Sequence, residues 1–169
     1  SRVLFDGIEK TNFATSDDDL RPITKGINVS TEKGKLRIAG INELTFSVYK
    51  NNEIGTDNLI NITIPSKPII ALKSILSKDE SNVCIKSDGN SAIISNDEFT
   101  LSCILHEGKF LPYEKVMNIK HTSVLVVDRI ELLRALKRVS VFSNQNSKLI
   151  KLDMNAGQIF LNVSSQDLD

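Results

Sequence analysis

Tryptophan is absent from the 169 residues, aromatic side chains make up only 5% of them, and neither charge is in surplus, with 21 basic residues against 21 acidic ones. A neutral total provides no global field to draw in nucleic acid or a membrane surface, so such a partner would have to be met by a local basic face. Cys84 and Cys103 stand in apolar, strand-like runs and flank no CxxC. That argues against a disulfide or thiolate metal site and predicts buried free thiols. His106 and His121 are the only histidines, and neither has a partner at a metal-ligand spacing such as HExxH, so neither a metal nor another cofactor is expected. No apolar run approaches the roughly 18 residues of a membrane helix. The start, SRVLFDG, has no charged segment leading into an apolar one, so the chain reads as soluble and cytoplasmic. It begins without Met and stops in SSQDLD, which suggests a piece cut from something longer. No nucleophile sits in a Gly-flanked elbow, no P-loop precedes a helix and no carboxylate pair stands in apolar surroundings, so an enzyme is not expected.

What is present is 40% hydrophobic content, enough for one medium domain or two small ones, and a repeat. GIEKTN begins at residue 7, ALKSIL at 71 and ALKRVS at 135, each 64 residues after the last. In that register Phe5, Ile69 and Leu133 coincide, as do Ile8, Leu72 and Leu136, placing apolar residues at i and i+3 on one face of three helices. Asp128 with Glu131 has the form of a capping box, and Ser66 before Lys67 and Pro68 reads as an N-cap with proline in the first turn. Between the helices, β-branched or alternating runs predict strands: ITKGINVS, KLRIAGI, LTFSVYK, LINITI, NVCIKS, SAIIS, FTLSCIL, TSVLVV, KLIKLDM and QIFLNVS. Turn residues separate them at Glu32-Lys33-Gly34, Asp88-Gly89-Asn90 and Asn155-Ala156-Gly157. The order amounts to repeated β-α-β-β-β units, an α+β fold in which each helix buries one face on a sheet.

Three motifs carry a family resemblance. FATSDDDLRPITKGINV (13 to 29) resembles the pattern FAxSxDxxRPxLxGV of the bacterial DNA polymerase III β subunit, the replicative sliding clamp. EGKFLPYEKVMN is similar to the motif DGKFPDYxRVIP that closes that family's middle domain. VDRIELLRALKRVSVFS resembles the opening of its third domain. The motifs follow the family's order and cover nearly the whole chain. The resemblance implies a DNA-clamp fold with antiparallel sheets outside and helices on the inner face. Residues 1–120 would be a middle domain lacking its first strand, and 121–169 the N-terminal part of a third domain. It further implies a homodimeric ring that encircles double-stranded DNA without reading its sequence. Such a ring tethers DNA polymerase III, clamp-loader subunits and other proteins that carry a clamp-binding motif.

Under that resemblance Arg21, Lys67, Lys73, Arg134, Lys137 and Arg138 would contact phosphates, with Arg2, Lys10 and Lys78 as further cations. The carboxylates Asp17, Asp18 and Asp19 beside Arg21 lack the alternating spacing of a calcium loop and read as exposed turn residues. Thr24, Ile41, Phe46, Leu111, Lys115 and Val116 would form the middle-domain half of an apolar cleft for partner peptides. Phe110 and Tyr113 are expected to pin the segment leaving that domain against its core. One departure stands out. Where the family carries TDGHRL, this chain has Ile41-Asn42-Glu43-Leu44-Thr45-Phe46, so Glu43, Leu44 and Thr45 replace Gly, His and Arg. Two other readings are therefore kept, a clamp paralogue with altered partner binding and a β-rich adaptor or surface module that binds no DNA.

Overall fold

The computed structural model describes residues 1–53, 58–76, 81–118, 120, 122–144, 147–155 and 157–163. Two compact units divide it, Ser1–Glu114 and Lys115–Asp169. The first contains α1 (Arg2–Thr11), β1 (Gly26–Glu32), β2 (Lys35–Ile41), β3 (Phe46–Asn51), β4 (Ile60–Pro65), α2 (Ser66–Leu76), β5 (Cys84–Ser87), β6 (Ser91–Ser95) and β7 (Thr100–Ile104). A four-residue helix, α3 (Glu114–Met117), leads into the second unit, which contains α4 (Arg129–Ser140), β8 (Lys151–Asn155) and β9 (Gln158–Asn162).

Every strand pairing is antiparallel: β3-β2-β1-β4 form one sheet, β5-β6-β7 a second and β8-β9 a hairpin. The β1–β2 hairpin turns tightly at Lys33 and Gly34, with φ of 48° and 75°, the left-handed pair that matches the twist of the flanking strands. At the β5–β6 turn the Asp88 carboxylate accepts from the backbone N–H groups of Asn90 and Ser91, and these bonds lower its pKa.

Period-two alternation sends Ile27, Val29, Leu36, Ile38, Ile62 and Ile64 to one face of the first sheet. There they meet Leu4 and Ile8 of α1 and Ile69, Leu72 and Leu76 of α2, and Ala92 and Ile94 of β6 extend the same core under the second sheet. Both helices thus lie on one side of the sheets of the first unit. Gly40 allows the closest approach. A Cβ there would fall 2.3 Å from the carbonyl oxygen of Thr11, so β2 touches the end of α1 backbone to backbone. Beside it the Ser47 hydroxyl donates to the Lys10 carbonyl at 2.7 Å.

Several expectations change. In α1 the helix rotates so that Leu4 and Ile8 are buried while Phe5 is half-buried, because Leu4 lies over the sheet interior and Phe5 at its margin. In α4 no residue is buried, and Leu133 is exposed with Leu136 half-covered, because among the described residues its unit offers the helix a two-stranded hairpin. Ser66 is not the cap of α2. It is the first helical residue, and its hydroxyl donates to the carbonyl of Lys25. The thiols are free but not deeply buried: Cys84 sits on the solvent side of β5, and Cys103 is partly covered on the core side of β7. The run TSVLVV forms no ladder among the described residues. Val124 and Val126 are exposed, since β-branched chemistry makes a strand only where a partner edge is available.

At α4 the Asp128 carboxylate accepts from Ile130 N and Glu131 N, both at 2.8 Å, the expected cap. With no buried face to compensate, loss of this cap weighs heavily. Asp128→Ala is expected to destabilise α4 by about 1 kcal/mol, seen as faster amide exchange from Arg129 to Leu132 while α1 and α2 are unchanged.

Candidate functional site

Two surfaces of the described chain carry chemistry. The first is the set of helix cations. Lys67 on α2 is exposed and makes no ion pair among the described residues. Lys73, one and a half turns on, lies 3.9 Å from the Glu9 carboxylate of α1. Arg2 pairs with Asp6 at 3.2 Å and lies over the Phe5 ring, and Lys10 lies over the ring of Tyr49. Lys78 falls outside the described residues. Arg21 is exposed in the loop before a short 3-10 turn at Pro22–Lys25. In that loop Lys25 hydrogen-bonds Asp19, holding the Asp19 carboxyl below its usual range and raising the Lys25 ammonium, with Asp17 and Asp18 adding to the field. Asp17 and Asp19 are exposed and Asp18 half-buried, its carboxylate accepting from Leu20 N.

The contrast is α4. Four cations, Arg129, Arg134, Lys137 and Arg138, share it with one carboxylate, Glu131, and none of the four is ion-paired among the described residues. Arg134, Lys137 and Arg138 are spaced i, i+3, i+4, so they form one cluster over the last two turns, where the helix dipole also favours positive charge. Arg134 and Arg138 rim a groove of about 450 Å³ between α4 and β9, floored by Leu132 and Ile159.

The second surface is the face of the four-stranded sheet turned away from the helices. Leu105 N donates to Asn90 O, His106 N donates to Thr63 O on β4, and the chain then crosses that face as far as Tyr113. Tyr113 is only 6% exposed. Its ring packs on Phe46 at 5.1 Å between centroids and takes Phe110 edge-on at 6.5 Å, and its hydroxyl bonds Ser30, which pairs with Arg37 across β1 and β2. Burial, and then the charge of Glu114, raises the Tyr113 pKa. Burial, and then Lys25, lowers that of His106.

Of the predicted cleft residues, Ile41 and Phe46 are opposed across β2 and β3 at one end of this face, and Leu111, 47% exposed, lies two residues before Tyr113. Ile41, Phe46 and the Tyr113 ring form an apolar platform, with Leu111 exposed on the segment that carries Tyr113. Thr24 does not reach the surface: it is 5% exposed, and its hydroxyl donates to the Arg21 carbonyl. The side chains of Lys115 and Val116 lie outside the described part. The turn that replaces TDGHRL is closed by Asn42, whose side-chain oxygen accepts from Leu44 N and Thr45 N, and it leaves Leu44 96% exposed. Sequence reading misses Ser30 and Asn28. Asn28 is buried and donates to Asn61 and to the Ile62 carbonyl on the same outer face. Their signal is polarity at the outward positions of a strand whose neighbours on both sides are apolar.

A profile of the family described as DNA polymerase III beta subunit, central domain, matches residues 1–112. The beta sliding clamp of Pseudomonas putida is 26% identical over 161 residues, which cover 95% of this chain and 44% of that protein. A crystal structure of the DNA polymerase III subunit beta from Pseudomonas aeruginosa superposes with a TM-score of 0.87 at 25% identity, again over 95% of this chain and 44% of that one. A crystal structure of the Pseudomonas aeruginosa sliding clamp bound to griselimycin gives a TM-score of 0.82 at 25% identity, over 90% and 42%. The chain therefore spans less than half the length of the relatives it matches, and the expected α+β clamp fold is the one observed.

Proposed function

The chain belongs to the DNA polymerase III β-subunit family, and on that premise we propose that the complete protein carrying it is a sliding clamp. In this reading two chains close a ring around duplex DNA, and the ring slides because it is held by phosphates and reads no bases. It works in the cytoplasm as a non-catalytic accessory factor that keeps DNA polymerase III, the clamp loader and other partners on the template. Residues 1–120 serve as its middle domain and 121–169 as the start of its third. The observation that carries the reading is the family match, supported by a helix, α4, with four cations and one carboxylate.

The platform of Ile41, Phe46 and Tyr113, together with the exposed Leu111, is then the middle-domain part of the partner cleft, with Lys115 and Val116 following in sequence. A sliding clamp of Pseudomonas aeruginosa with this fold binds griselimycin, which supports a ligand-binding surface on such clamps. A second reading, a clamp paralogue with altered partner binding, is favoured by one observation: the turn at 42–45 carries an acidic and an apolar side chain and no cation.

Retention on DNA tests the reading. The complete protein, loaded on closed circular duplex, is expected to stay bound through gel filtration and to be lost once the circle is cut. Equal retention on linear and circular DNA, or none on either, sinks the ring.

A further inference from the structure

We propose that this chain divides its DNA-holding charge unequally: Arg2 of α1 and Lys73 of α2 are each offset by one of the chain's own carboxylates, and phosphate attraction falls mainly on Arg134, Lys137 and Arg138 of α4. The inference rests on the clamp reading and assigns roles within it.

On α1, Arg2 is held by Asp6 at 3.2 Å, one turn along the same helix. On α2, Lys73 faces Glu9 of the neighbouring helix at 3.9 Å. In the loop that follows α1, Lys25 is bonded to Asp19 and flanked by Asp17 and Asp18. Exposed pairs of this kind contribute little to folding, so stability does not explain their recurrence. Their effect on a polyanion is larger. A phosphate drawn to Lys73 or Arg2 arrives beside a carboxylate only a few ångströms away, well inside the Debye length of about 8 Å at physiological salt. Attraction and repulsion then nearly cancel. Of the α1 and α2 cations named above, Lys67 and Lys10 are exposed without an ion pair among the described residues, Lys10 lying over the Tyr49 ring. On α4 the balance differs: the lone helical carboxylate, Glu131, and the cap, Asp128, lie toward the N-terminal end, and Arg134, one turn after Glu131, clusters with Lys137 and Arg138, none of the three ion-paired among the described residues.

Each phosphate neutralised releases condensed counterions, so log K falls against log salt with a slope of about 0.9 per contact. Three variants of the complete protein, each titrated with a fluorescent duplex over a salt series, decide the matter. Arg134→Gln/Lys137→Gln/Arg138→Gln is expected to flatten the slope by between two and three. Arg2→Gln/Lys73→Gln should flatten it by less than one. Glu9→Gln, which leaves Lys73 without its counterion, should steepen the slope and tighten binding, and a gain of that kind cannot arise from misfolding. Equal flattening by the two multiple variants, or no gain from Glu9→Gln, overturns the division of charge. Wild-type protein whose DNA binding does not respond to salt overturns the clamp reading itself.

Discussion

Leu72→Ala is expected to lower the stability of the chain by about 3 kcal/mol, within the 2–5 kcal/mol range for truncating an aliphatic side chain in a closed core. Leu72 is fully buried where α2 meets both sheets, among Ile27, Ile64, Ile69 and Ile94. Rigid strands on one side and a second helix on the other leave little room for collapse, so most of the lost volume remains as a cavity. Ile8, one repeat earlier at the same register, is also fully buried, and Ile8→Ala should cost a similar amount. Leu136, one repeat later, is only half-covered, and Leu136→Ala should cost less than about 1 kcal/mol, because the term scales with the area withdrawn from water. Urea titration measures all three. With a slope of about 1–3 kcal/mol per molar, the first two midpoints should move by a molar or more. A shift at Leu136 as large as that at Leu72 would show that α4 is packed far more tightly than its exposed face indicates.

Tyr113→Ala has the second large effect, and it reaches function. The ring packs on Phe46, takes Phe110 edge-on, and is tied by its hydroxyl to Ser30. Removing it takes away the surface on which the crossing segment rests, at a stability cost of about 3 kcal/mol. It also leaves Phe46 without the ring it packs on. For a peptide carrying a clamp-binding motif, affinity should fall by about 30-fold or more, the scale of a hot-spot residue of about 2 kcal/mol. Tyr113→Phe keeps both ring contacts and loses only the hydrogen bond, a stability cost of about 1 kcal/mol, with affinity changed by less than about threefold. Calorimetric titration of the complete protein separates the two variants. If Tyr113→Ala binds the peptide as tightly as wild type, the outer face is not the cleft.

How much of this could be read beforehand depended on whether a position answers to its own chain neighbours or to a partner distant in sequence. The hairpin at Lys33-Gly34, the cap at Asp128 and the inward register of β1, β2 and β4 are local matters of backbone sterics, capping and period two, and each was legible. The rotation of α1 from Phe5 to Leu4 was not, because a helix face is settled by where the sheet ends. TSVLVV has the composition of a strand, yet composition does not supply an edge to pair with. Thr24 lies in a motif and was assigned to the cleft, but its hydroxyl closes the turn it sits in. The aromatic cluster at 110–113 was conspicuous in the sequence. Its docking on Ser30 and Phe46, some 80 and 70 residues away, could be seen only in three dimensions. The carboxylates facing Arg2 and Lys73 divide in the same way, since Asp6 is at helical spacing and Glu9 lies on another helix.

The contact between Gly40 and Thr11 has a mechanical consequence. At Gly40 the end of α1 rests on β2 backbone to backbone, with the Ser47 hydroxyl fastening them alongside. The turn that rims the outer platform begins immediately after that seam, at Ile41. Displacement of the platform edge is therefore expected to carry the end of α1 with it. If the proposed ring forms, with partners on the platform and DNA threaded through its centre, this joint would tie the partner-binding edge to α1.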